Sequence, residues 1–368
     1  LKLDDNRTYW VALNLVLADN LRAARKAVDH FPTIADVFKA SKRELISLGV
    51  NEEIAQALTS PRLLDQASRE IERLEKKNCS ILTYEDGDYP EYLREIFDPP
   101  YVLYCAGRVE VLKAPAVSIV GARKPSAYGR AVAERLARDL ASRGLVIVSG
   151  LAHGVDSIAH WGALEGGKTV AVLGSGLETV YPRENRGLFE KIIQQGAVVT
   201  EFPLESPPLG FHFPIRNRII SGLSLAVVVV EATKRSGSLI SARMALEQNR
   251  EVMAVPGNIT SELSQGTNWL IQAGAKLVKS WEDVAEELPS PLKEKILCQK
   301  EEEREAPPSL SPQEKKVFEI LKPDSLTHVD ALVEETDYSV SETLSFLLNL
   351  ELKGFILQRP GKYFQRRL

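Results

Sequence analysis

Three cysteines among 368 residues, Cys79, Cys105 and Cys298, are too few and too far apart for a disulfide framework or a zinc cluster. Histidine is nearly as sparse: five are scattered along the chain, and no His-Glu-x-x-His or Cys-His pattern joins them. No apolar run approaches the ~20 residues that cross a bilayer. No segment combines a basic start, an apolar middle and a small-residue cleavage site. A reducing, cytoplasmic protein is the expectation, with no membrane association. Fixed-period repeats are missing too, which sets aside solenoids and propellers. Positive charge is also short: the formal charge is -4, which taken whole argues against a nucleic-acid partner.

The hydrophobic pattern divides the chain into unlike parts. Residues 1–75 carry apolar residues at helical spacing, such as Leu13, Val16 and Leu17, then Leu45 and Leu48, then Ile54 and Leu58. They predict a small all-α domain. From residue 76 onward short β-rich runs appear, and beyond Val117 they alternate with amphipathic stretches. Strands are expected at 117–120, 145–148, 169–173, 197–200, 225–230, 252–255 and 276–278, with helices such as 126–143 between them. That alternation predicts an α/β fold with a doubly wound, mostly parallel sheet over 76–281. Glutamates and prolines crowd 282–308, as in a solvated linker. Residues 309–368 read as three helices and a hairpin, a winged helix.

The charge is uneven. Between Ser118 and Ser280 there are 18 Lys and Arg against 13 Asp and Glu, a surplus of five, so the α/β part is basic and its flanks acidic. One segment, Gly162-Ala-Leu-Glu-Gly-Gly167-Lys168-Thr169, matches the spacing of a phosphate-binding P-loop. Its order is wrong, because a helix precedes it and a strand follows, so Gly166-Gly167 reads as a helix end.

Four other glycine-bearing loops each follow a predicted strand, on the edge where open α/β sheets bind ligands. They hold Gly121 and Arg123; Ser149, Gly150, His153 and Gly154; Gly174; and Lys234, Ser236, Gly237 and Ser238. Such loops either shape tight turns or let backbone N–H groups approach an oxygen-rich ligand. A further stretch, Phe211 to Leu223, sets aromatic rings beside Arg216, Asn217 and Arg218. Either the rings are core at a solvated helix start, or bases stack there while arginines neutralise phosphates.

Taken in order, Ser118-Ile-Val-Gly-Ala-Arg123, Ser149-Gly-Leu-Ala-His-Gly-Val-Asp-Ser-Ile-Ala-His160, Val172-Leu-Gly-Ser-Gly176 with Tyr181-Pro182, Phe213-Pro-Ile-Arg-Asn-Arg-Ile-Ile-Ser-Gly-Leu-Ser224, Ser236-Gly-Ser-Leu-Ile240 and Val255-Pro-Gly257 resemble the DNA-processing protein A (DprA/Smf) family. The resemblance covers roughly residues 82–278 and implies an extended Rossmann-like core. It implies single-stranded DNA binding, a homodimer, and loading of RecA recombinase during natural transformation. It implies no catalytic activity, cofactor or metal. Carried residue by residue, it assigns DNA contacts to Arg123 first, then Gly150, Gly154, Gly174 and Ser236-Gly237-Ser238, with Arg216, Arg218 and Lys234 completing a basic rim. Arg183 stands where related proteins often carry Lys, so the charge is kept while the geometry differs. Self-association is expected near Trp269, Leu270, Ile271 and Leu277.

The competing expectation is an enzyme on nucleoside monophosphates, like the lysine-decarboxylase-like group. Glu231 and Asp156 are its nearest carboxylates, but the Pro-Gly-Gly-x-Gly-Thr loop of those enzymes is not present. In the winged helix, residues 339–353 carry Glu342 and Glu351 against Lys353, while Arg359, Lys362, Arg366 and Arg367 gather on the hairpin and terminus. That distribution suits protein contact or weak wing-first DNA contact better than base reading.

Overall fold

The computed structural model describes residues 6–17, 21–298, 310–322 and 325–366. Half of the glutamates expected in the linker, Glu301, Glu302, Glu303 and Glu305, lie outside them, as does Arg367. Chain contacts divide the protein into two units, Leu1–Lys293 and Glu294–Leu368.

The first unit is built on nine strands: β1 (Cys79–Thr83), β2 (Val102–Gly107), β3 (Ala116–Val120), β4 (Val146–Ser149), β5 (Thr169–Val172), β6 (Ala197–Thr200), β7 (Ala226–Val229), β8 (Glu251–Ala254) and β9 (Lys276–Leu277). Their order across the sheet is β1-β2-β6-β5-β4-β3-β7-β8-β9. From β6 to β9 neighbours run parallel; β1 and β2 add an antiparallel edge. Every residue of β3 to β7 is buried. Helices cover both faces, which is why these strands read as near-continuous valine rather than as alternation. The α/β fold with its mostly parallel, doubly wound sheet is therefore as the sequence implied.

The chain passes from β3 outward to β4, β5 and β6, then returns to lay β7 on the other flank of β3. Loops leaving β3 and β7 thus diverge to opposite sides and open a crevice at the strands' carboxyl ends.

Six helices from Asn6–Leu17 to Pro61–Lys76 precede the sheet. They share one core with it: Trp10, Leu13 and Leu17 join Tyr104, Leu173 and Val198 in a single buried cluster. The Trp10 ring stacks on Tyr101 with centroids 5.3 Å apart. Asn14 donates to the Glu201 carbonyl at 2.8 Å. At the other end, the Trp281–Glu286 helix occupies part of the expected linker. Trp281, Val284, Ala285 and Leu288 are buried, and the Arg143 guanidinium lies 3.6 Å from the Trp281 ring centroid. Four glutamates and two prolines nearby mask this apolar face in the composition. No helix among the described residues is long and apolar enough to cross a membrane.

The second unit has the helices Pro312–Ile320, Val329–Thr336 and Val340–Leu352, and strands β10 (Thr327–His328), β11 (Ile356–Arg359) and β12 (Tyr363–Arg366) in the order β10-β12-β11. Its core joins Val317, Leu332, Leu347, Leu350, Ile356 and Phe364. This is a winged helix. Ser311 and Glu314 form a capping box, and Glu314 also accepts from Lys353 Nζ at 2.9 Å. Bonds to Lys353 and Ser311 hold the Glu314 carboxyl below its ordinary 4.5. A group depressed on folding stabilises above its unfolded pKa and loses that contribution as pH falls through the folded one. Glu314→Gln should therefore destabilise this unit by about 1 kcal/mol at pH 7, and thermal melts of wild type and variant should converge in acid.

Candidate nucleic-acid interface

The crevice between the β3 and β7 loops forms a cleft of about 520 Å³. Gly121 and Arg123 border it from the β3 side, and Ser236, Gly237 and Ser238 from the β7 side. Three helices begin at it: Val155–Gly166, His212–Gly222 and Ser238–Glu247. The first turn of each helix carries partial positive charge, although at the Val155 start the N–H donates to the Ala122 carbonyl and the Asp156 carboxylate also lines the cleft. Together they favour an anion.

The β4 loop is held by its glycines. Gly154 has φ +81°, and a Cβ there would stand 2.3 Å from the Ala122 carbonyl oxygen. Gly150 packs directly on a guanidinium: a Cβ would meet Arg216 Nη1 at 2.4 Å. At the cleft floor Arg216 Nη1 donates to the carbonyls of Gly150, at 2.7 Å, and Val172. Burial pushes the Arg216 pKa down to about 10, so it remains a cation at neutral pH. Asp156 accepts from the Gly150 N–H at 3.1 Å. Burial raises its carboxyl pKa, and the Arg216 charge opposes that rise. His160, also buried, is driven down to about 3 by desolvation and by Arg216, and stays neutral.

One wall is aromatic. Phe213 lies in the cleft with its ring centroid 6.0 Å from both Arg123 Cζ and Arg216 Cζ. Tyr181 packs on it at 5.6 Å and is 45% exposed. Asn217 points its Oδ1 to Arg216 Nε at 3.2 Å, which orients its amide beside the cleft. Ser236 and Ser238 share a hydroxyl–hydroxyl hydrogen bond of 2.7 Å at the opposite lip.

Several expected contacts stand elsewhere. Arg218 is not a rim cation: it is 9% exposed and forms a two-pronged pair with fully buried Glu201, at 2.9 and 2.5 Å. Arg216 is likewise largely buried, 4% exposed, yet it lines the cleft floor beside Phe213, so its charge acts there from beneath while its Nη1 is held by carbonyls. Ser149 is fully buried, and its hydroxyl donates to the Ile119 carbonyl at 2.6 Å, building the turn instead of facing solvent. Gly174 is buried behind Phe213, its carbonyl accepting from His212 Nδ1 at 3.2 Å. Arg183 is exposed in the turn after Tyr181-Pro182, and His153 lies 3.8 Å from Glu184 near it. Lys234 lines a second cavity of about 720 Å³ with Leu239, Leu246 and Trp269. Trp269 is exposed at that cavity and Leu270, which also lines it, is core; Ile271 and Leu277 are half-buried outside its lining. Sequence reasoning passed over Lys124 and Arg235, both exposed; each adjoins a named residue in the same loops, so position alone could have included them.

Glu231 and Asp156, the carboxylates of the competing enzyme reading, are both engaged. Glu231 is buried and accepts from the Ser126 N–H at 2.9 Å and the Ser126 hydroxyl at 2.6 Å, anchoring the Ala127–Ser142 helix.

Two family profiles match the chain: DNA recombination-mediator protein A over residues 80–289 and the DprA winged helix domain over 301–362. Protein Smf of Escherichia coli is 42% identical over 304 residues, covering 80% of this chain and 79% of that protein. The crystal structure of DNA processing protein A from Streptococcus pneumoniae superposes with a TM-score of 0.61 at 36% identity, over 78% of this chain and 99% of that one. A DNA processing protein A from Helicobacter pylori, solved to describe its single-stranded DNA binding mode, gives a TM-score of 0.52 at 32% identity, over 61% and 96%.

Proposed function

The chain belongs to the DNA recombination-mediator protein A family, and from that premise we propose that it binds single-stranded DNA in the β3–β7 cleft. The observation that carries the reading is one arrangement: exposed Arg123 and three helix starts gather with the Phe213 ring at a single cleft, and exposed Tyr181 packs on Phe213 beside it. Phosphates are served by the cation and the amides, and bases by the rings. A duplex keeps its bases stacked inside, so an open strand alone can use both. We further assign the exposed Trp269 and its neighbouring cavity to self-association of two copies, and a role in loading RecA onto the bound strand in the cytoplasm.

Oligothymidylate titrated by fluorescence anisotropy tests the central claim. Binding should weaken steeply as salt rises, with duplex of equal length binding less tightly. Gly237 gives a sharper probe. A Cβ there would meet nothing within 4 Å, so Gly237→Ala fits the unbound protein. If a phosphate rests on that amide, the methyl should lower affinity about tenfold, equal to ~1.4 kcal/mol, with the melting temperature unchanged. Unaltered affinity would remove the β7 loop from the site. The nucleotide-cleaving reading predicts free base from AMP or CMP; the structural duties of Glu231 and Asp156 favour the binding reading over it.

A further inference from the structure

The second helix-bearing unit presents a surface that the cleft does not explain. In a winged helix the third helix is the one that would enter a DNA groove. Here Val340–Leu352 turns outward Val340, Leu348 and Leu352, which are 49%, 56% and 78% exposed, with Leu344 half-buried between them. These four stand at i, i+4, i+8 and i+12, one continuous aliphatic ridge about 18 Å long. The fully buried residues, Thr343, Leu347 and Leu350, are on other rows, and Leu344 also packs its inner side against the core, which anchors the middle of the ridge. Ridges at this spacing interdigitate with the like ridge of a second helix.

The exposed charges about the turn that starts the helix are mostly acidic, and Lys316, packed beside that turn, is tied to the Thr336 carbonyl at 2.8 Å and lies over the Tyr338 ring. Glu334, Glu335, Asp337 and Glu342 are exposed about the turn that starts the helix. Lys353, at the far end, is held by Glu314 at 2.9 Å. Phosphates of a duplex or an anionic membrane would meet carboxylates. A second copy of this chain would bring the same carboxylates to this face, with Lys316 and Lys353 already engaged.

We propose that the Val340–Leu344–Leu348–Leu352 ridge docks an amphipathic helix of another protein whose apolar stripe is flanked by Lys or Arg. Complementarity of this kind sets partner choice and encounter rate, while the buried leucines hold the complex.

The test uses the full chain and a labelled helical peptide of about 18 residues, with leucine at every fourth position and lysine flanks. A second peptide carries glutamate in place of lysine. The lysine peptide should bind, and the glutamate peptide should not. Leu348→Glu with Leu352→Glu should weaken the lysine peptide about tenfold or more, while circular dichroism and oligothymidylate binding stay unchanged. Glu334→Lys with Glu335→Lys should weaken it about threefold or more through the on-rate; this pair decides the matter if the leucine variant misfolds. Peptide affinity within twofold in both variants would overturn the proposal. So would a drop in binding of a short DNA duplex caused by the leucine pair, which would give the face to DNA. Loss of chain self-association in sedimentation for the same variant would give it to a second copy.

Discussion

Arg123→Ala should lower single-stranded DNA affinity by about tenfold or more at low salt, and it should flatten the plot of log affinity against log salt by ~0.7. Both effects have one origin. Arg123 is exposed at the lip of the cleft, three residues beyond β3, and its guanidinium reaches toward Phe213 without entering the core. Removing it deletes a phosphate clamp and the counterion release that goes with it. The fold should not notice, so the melting temperature should stay within a degree or so, as for other surface changes. Arg123→Lys separates charge from shape. It should restore the salt slope while recovering only part of the affinity, because an ammonium cannot offer two parallel N–H bonds to one phosphate. A variant with weaker binding and an unchanged slope would show that Arg123 shapes the loop instead of contacting the strand.

What could be read in the sequence followed from local pattern. The run Ala226–Val229 announces a strand buried on both faces, and the Gly166-Gly167 pair announces a helix end, where Gly167 caps Val155–Gly166. Strand order at the switch point fixed which loops face each other, and Gly121, Arg123 and Ser236 to Ser238 do so. What could not be read depends on acceptors supplied from afar. Arg216 and Arg218 look alike in Ile215-Arg216-Asn217-Arg218-Ile219, two cations near a helix start. One is claimed by carbonyls at the ends of β4 and β5, the other by a carboxylate just past β6. Neither claim leaves a mark in local sequence. Ser149 misleads in the same way: a serine beside a glycine suggests a phosphate donor, but its partner is the Ile119 carbonyl on the adjacent strand. The helices before Lys76 were legible as helices, while the sheet face that Trp10 and Leu13 cover was not, because amphipathic periodicity says that a face is buried and not against what.

The second large effect therefore falls on stability. Arg218→Met should destabilise the first unit by about 3 kcal/mol or more, since a buried carboxylate then loses the guanidinium that offsets its desolvation. Glu201 is fully buried and Arg218 nearly so, with two parallel N–H bonds between them. Glu201→Leu alone should do comparable harm by stranding the arginine. The double replacement, Arg218→Met with Glu201→Leu, removes both charges and should recover much of the loss, because apolar pairs of similar volume replace buried ion pairs with little penalty. Urea denaturation of the four proteins forms a double-mutant cycle that measures the coupling directly. DNA binding gives the second readout. In the double variant, below its melting transition, oligothymidylate affinity should remain within about twofold of wild type, the opposite of the Arg123→Ala result. A tenfold loss there, with the fold intact, would return Arg218 to the basic rim and require the pair with Glu201 to open when DNA arrives. Retained affinity would mean that two arginines in the same basic cluster of the sequence serve different ends, Arg218 stability and Arg123 recognition, separated by which of them a buried carboxylate can reach.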